Sequence, residues 1–84
     1  MQNLSEYREK IEKIDAELIK LFVERMKLSK AIGEYKKEEK LPVFDSQREE
    51  ELKLRNLSLV DDEYKKAYLE VFEKILKVSK DQQL

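Results

Sequence analysis

The chain has no cysteine and no histidine, and it holds glycine and proline only once each. Each scarcity excludes something. Without cysteine no disulfide staples the fold. With neither residue, the usual zinc sites are excluded, as are Cys-His and Ser-His nucleophilic pairs. A single Gly and a single Pro are too few for strands joined by tight turns, which favours an all-α fold. Long apolar runs are missing too. The N-terminus, MQNLSEYREK, is polar from the start, and no stretch approaches the ~20 apolar residues that cross a bilayer. The expectation is a soluble, cytoplasmic chain without a membrane segment.

What is abundant is charge. Charged residues make up 44% of the 84 residues, with 18 Lys and Arg against 19 Asp and Glu. Such a balance argues against nucleic acid as a partner, because that binding needs a basic face. Residues 1–84 read as one small domain, and a chain this short often needs a partner to complete its core.

Three helices are expected, at about 5–39, 45–57 and 62–82. The first carries a seam of Leu4, Tyr7, Ile11, Ile14, Leu18, Leu21, Arg25, Leu28, Ile32 and Tyr35. Its steps alternate between three and four, the heptad period of helices in long contact. About 35 residues make a helix of roughly 50 Å. Gly33 within it costs about 1 kcal/mol relative to Ala and reads either as a close backbone approach or as a tolerated defect. Pro42 ends this helix by restricting Leu41 and lacking an N–H. Asp45 suits an N-cap, with Glu49 and Glu50 in the turns that follow. The third helix shows a stripe of Tyr64, Tyr68, Val71, Phe72, Ile75, Leu76 and Val78. Helices two and three together only match the first in length, so a lone chain would leave much of the seam exposed. An intertwined homodimer pairing the long helices is therefore expected.

Polar residues interrupt these stripes. Arg25 sits in the seam between Leu21 and Leu28, and Ser29, Ile32 and Lys36 follow it on one face. Arg48 and Glu49 share a face with Leu52, and the Phe72–Leu76 stripe turns polar at Ser79 and Gln83. Singly, each has an ordinary reading: a register device, a snorkelling Arg, a solvated helix end, a dipole partner or a frayed terminus. Together, Arg25, Lys36 and Arg48 around an interior cavity imply an anionic occupant, because unpaired buried cations are costly. Carboxylates suit the planar fork of Arg; a phosphate would also suit, yet no Gly-rich loop is present to cradle one. Arg8 lies 17 residues before Arg25 on the same helix, roughly 25 Å away. A metabolite cannot bridge both within one chain, so any role for Arg8 acts across the dimer.

The order Arg8, Arg25, Lys36, Asp45, Arg48-Glu49, Ser79, Gln83 resembles the all-helical AroQ-type chorismate mutases. So do the stretches YREKIEKIDAELIKLFVER and LPVFDSQRE, and the resemblance runs from about Leu4 to Gln83. It implies a unimolecular Claisen rearrangement of chorismate to prephenate, on the route to phenylalanine and tyrosine, with no metal or cofactor. Carried over, Arg25 and Arg8 of the partner subunit would bind the two carboxylates, with Ser79 assisting. Lys36 and Gln83 would donate to the ether oxygen, Glu49 would accept from the ring hydroxyl, and Asp45 with Arg48 would order that corner. The link between helices two and three looks slightly shorter than in familiar members. Gln83 is followed only by Leu84, where helices fray. Isochorismate-pyruvate lyase, on the same fold, and a non-catalytic helical dimerisation module are the competing readings. No fused dehydratase, dehydrogenase or synthase segment is read in the chain, so feedback control is expected to need a complex with another protein.

Overall fold

The computed structural model describes residues 3–84. Helix α1 spans Leu4–Glu38, α2 spans Ser46–Leu57 and α3 spans Lys65–Gln83. A 3-10 turn, Asp62–Tyr64, leads into α3, and no strand occurs among the described residues. The all-α, three-helix expectation is met.

Local chemistry explains the boundaries. At the start of α1, the Asn3 side chain accepts from the Glu6 N–H at 3.0 Å, satisfying a donor with no partner inside the helix. The helix closes on Lys40, whose φ of 56° lies in the left-handed region. The Leu41 N–H reaches the Lys36 carbonyl at 2.8 Å and the Lys40 N–H reaches that of Lys37 at 3.3 Å, the paired bonds of a Schellman turn. Pro42 follows at once and prevents the helix from resuming. Asp45 caps α2 as expected, accepting from the Arg48 N–H at 3.1 Å. The third helix departs from expectation by starting tightly wound. Asp61 makes no side-chain cap, and the Tyr64 N–H bonds to the Asp61 carbonyl at 2.9 Å. Bonds of the i→i+3 kind take over where no cap satisfies the first turn.

Chain direction follows from the contacts. Arg25 meets Ser79 and Lys37 meets Leu84, so α3 runs parallel to the C-terminal half of α1. In α2, Glu49 meets Lys80, Lys53 meets Glu73 and Asn56 meets Tyr68, so α2 runs antiparallel to α3. The core is thin. Phe72 at 4% exposure and Leu76 at 7% are the buried hydrophobic side chains, with Tyr68 stacked on Phe72 at 5.4 Å between centroids. From Leu4 to Leu21 the seam residues are all exposed, and Tyr64 and Val71 of the expected α3 stripe are exposed as well.

Size measures agree. The radius of gyration is 16.2 Å, where a compact chain of this length has about 12 Å. The solvent-accessible area is 7247 Å², where a folded protein of 10.1 kDa exposes about 5,300 Å². One chain by itself leaves the long seam open.

Candidate active site

A cavity of about 530 Å³ lies where the C-terminal half of α1, the first turns of α2 and the end of α3 converge. That volume suits a metabolite. Arg25, Lys36, Asp45, Arg48, Glu49, Ser79 and Gln83 all line it, seven of the eight residues singled out in the sequence. Arg8 does not. It lines a separate surface hollow with Leu4, Ser5, Glu9 and Glu12 at the opposite end of α1.

Helical spacing makes the convergence possible. Arg25, Ser29, Ile32 and Lys36 rise along one face of α1, and Leu76, Ser79 and Gln83 along one face of α3. The Schellman turn and Asp45 cap aim the first turn of α2 over the gap, delivering Arg48 and Glu49.

Arg25 and Lys36 are each held by something specific. Arg25 Nη1 donates to Ser79 Oγ, and the guanidinium lies 5.9 Å from the centroid of the Phe72 ring. Those contacts fix the fork while the cavity wall still includes it. Lys36 Nζ donates to the Val43 carbonyl at 2.8 Å and to Gln83 Oε1 at 3.0 Å. An ammonium has no acceptor, so the Gln83 amide turns its oxygen to Lys36 and keeps its NH₂ free to donate elsewhere. Gln83 stands where helices fray, yet the chain end is tied down, because Lys37 Nζ also donates to the Leu84 carbonyl at 3.2 Å.

Lys80 is the charged lining residue that sequence reasoning missed. Its Nζ lies 3.5 Å from Glu49 Oε1 and 4.4 Å from the centroid of the Phe44 ring. The signal was present, since Lys80 follows Leu76 by four residues and precedes Gln83 by three. The Val43 carbonyl was also missed, and no side-chain pattern announces a backbone acceptor. With Lys80 included, the cavity has four cations, Arg25, Lys36, Arg48 and Lys80, against the carboxylates of Asp45 and Glu49, a net of two positive charges.

A second hollow, of about 590 Å³, opens between α1 and α3 and is lined by Leu18, Phe22, Val71, Ile75 and Val78 among others. Arg25 and Lys74 also border it, but its exposed lining is almost wholly apolar and continues the exposed seam.

Fold and lining together define a class: an all-helical protein with a cation-lined pocket rich in hydrogen-bond donors. The chorismate mutase type II family model matches residues 7–84, and the chain belongs to that family. It is 36% identical over 81 residues to a bifunctional chorismate mutase/prephenate dehydratase of Aquifex aeolicus, covering 96% of this chain and 17% of that protein. It is 39% identical over 49 residues to a chorismate mutase of Methanocaldococcus jannaschii, covering 58% of this chain and 50% of that one. The chain thus spans half or less of the length of these curated relatives. A solved structure of a conserved hypothetical protein from Pyrococcus furiosus superposes with a TM-score of 0.81 at 42% identity, covering 100% of this chain and 99% of that one.

Proposed function

We propose that residues 1–84 act as a single chorismate mutase domain, rearranging chorismate to prephenate in a cytoplasmic, intertwined homodimer. The observation that carries this reading is the Lys36–Gln83 pair, bonded at 3.0 Å on the wall of a cavity with two net positive charges. Family membership favours it over both the lyase and the inert helical module.

The reaction is intramolecular. The ether C–O bond breaks as a C–C bond forms within the same molecule, so no nucleophile, metal or cofactor takes part. What the protein supplies is restraint of the folded conformer and donors aimed where negative charge builds. Arg25, held by Ser79, takes one carboxylate. Arg8 of the partner subunit takes the other. Lys36 and the free NH₂ of Gln83 donate to the ether oxygen, and Lys36 also reaches toward a carboxylate. Glu49 accepts from the ring hydroxyl, while Asp45, through its cap on the Arg48 N–H, sets the start of α2.

The dimer rests on area and distance. One chain exposes about 1,900 Å² more than a closed monomer of its mass, so pairing two copies would bury an area in the range of obligate interfaces. Pairing also brings an Arg8 to the cavity, which its own chain cannot do from roughly 25 Å away. Fusion to a prephenate dehydratase in the Aquifex aeolicus relative supports pairing with an enzyme that consumes prephenate.

The deciding assay follows chorismate absorbance on adding the purified protein, then converts the product to phenylpyruvate with acid. Saturable formation of prephenate is expected. A folded dimer that leaves chorismate untouched would sink the reading, and salicylate plus pyruvate from isochorismate would replace it with the lyase.

A further inference from the structure

Gly33 lies one turn before Lys36 on α1, and it is buried. Its φ is not positive, so backbone conformation does not require glycine there. Helix propensity opposes it, since Ala would be favoured by about 1 kcal/mol. The reason lies across the interface with α3. A Cβ at position 33 would fall 2.5 Å from Gln83 Cα, 2.5 Å from the Gln83 carbonyl oxygen and 2.8 Å from the Gln83 carbonyl carbon. All three are backbone atoms, so no change of rotamer relieves the overlap. Ordinary contact begins near 3.4 Å, and the last turn of α3 would have to retreat by about 1 Å.

We propose that Gly33 is a positioning residue, a backbone-to-backbone seat for the C-terminal turn of α3 that sets the Gln83 amide against Lys36. The proposal rests on the mutase reading, in which both groups must converge on one oxygen. The seat lies three residues from Lys36, so the two partners of the 3.0 Å bond are located by the same turn of α1. The Lys37 bond to the Leu84 carbonyl holds the chain just beyond the seat but fixes no amide. A misplacement of about 1 Å at a donor costs on the order of a hundredfold in rate. Gly33 touches no substrate and acts only through Gln83.

The test is a cycle of Gly33→Ala, Gln83→Ala and the double variant, read by kcat, KM and Tm on the full chain. Gly33→Ala is expected to lower kcat roughly ten- to a hundredfold with a smaller change in KM, and to lower Tm. In the Gln83→Ala background the same change should cost less than about twofold in kcat, because its target is already gone. Activity within about twofold of wild type together with a raised Tm would overturn the proposal and leave a tolerated helix defect. Fully additive losses would overturn it too, by showing damage that bypasses Gln83. A wild type inactive on chorismate removes the mutase reading and the catalytic half of this inference; Tm still decides the seat, a fall upholding it and a rise overturning it. One further measurement needs no variant: a nuclear Overhauser effect between the Gly33 and Gln83 Hα protons is expected, and its absence overturns the seat even if Gly33→Ala fails to fold.

Discussion

The two halves of α1 have the same heptad spacing and different neighbours. From Leu4 to Leu21 the seam carries apolar residues at every step, and all of them are exposed. From Arg25 to Tyr35 the apolar seam residues Leu28, Ile32 and Tyr35 are exposed as well. Beside them, however, Ser29 and Gly33 are buried, and Arg25 and Lys36 face a cavity closed by α2 and α3. Apolar residues left in water beside the half-buried cations Arg25 and Lys36 run against the usual partition. On the proposed reading, the naked half, Leu4 to Leu21, would meet a second copy, and the packed half, with its cavity, would take an anion. In the proposed homodimer a second copy would resolve the first imbalance and, by bringing Arg8, complete the second.

The sharpest way to break this comparison is to place a charge in the naked half. Leu18→Asp puts two carboxylates into a symmetric apolar interface, at a cost of several kcal/mol. Sedimentation should then report monomer, with a large fall in Tm. A dimer of unchanged Tm would show that the seam faces something other than a second copy.

Next in size are substitutions in the packed half. Arg25→Ala or Lys36→Ala is expected to cost about a hundredfold or more in kcat/KM, the scale of lost transition-state donors, with assembly intact. Losses below about tenfold in both would return Arg25 to a register device. Arg8→Ala should be comparably damaging although Arg8 lies in the other half. Mixing and reassembling Arg8→Ala with Arg25→Ala chains sharpens the point, since half the dimers then carry one site with both arginines intact. About a quarter of wild-type activity should return on statistical mixing. No recovery would place Arg8 outside the site.

A subtler effect is expected at Gln83→Glu. A carboxyl donates to the ether oxygen only when protonated; as the carboxylate it opposes the charge developing there. Activity should rise as pH falls and be lost as pH rises. A pH profile unchanged from wild type would remove the donor role. The smallest effect concerns the turn joining the packed half to α2. Lys40→Gly relieves a left-handed residue and should add about 1 kcal/mol of stability, read as a rise in Tm with kcat/KM unaltered. A fall in Tm would mean that the Lys40 side chain contributes more than its backbone strain costs.

Much of this architecture is legible in the chain itself, for identifiable reasons. Helix boundaries at Asp45 and Pro42 follow from local chemistry, as caps and a missing N–H act on neighbouring residues only. Six pocket residues are readable because spacings of three, four and seven put them on helix faces, and Asp45 is readable as a cap that the family resemblance adds to the site. The 3-10 entry to α3 is not readable, because Asp61 has the composition of a cap and fails to act as one. Lys80 is only half readable: its spacing from Leu76 and Gln83 puts it on their face, but a lysine on a helix is ordinarily solvated, and the approach of Glu49 and Phe44 gives it a place at the cavity.

Periodicity and contacts within a few residues are enough to settle the helices, their faces and the charge those faces carry. Long-range packing alone settles what Gly33 is for. Its two readings, a defect and a close approach, are identical along the chain and differ only in whether the Gln83 backbone lies 2.5 Å from a missing Cβ. Likewise the direction of the Gln83 amide depends on where the Lys36 ammonium arrives, and that meeting spans 47 residues of sequence. Contacts over such separations are set by how the helices pack, and no local pattern encodes them.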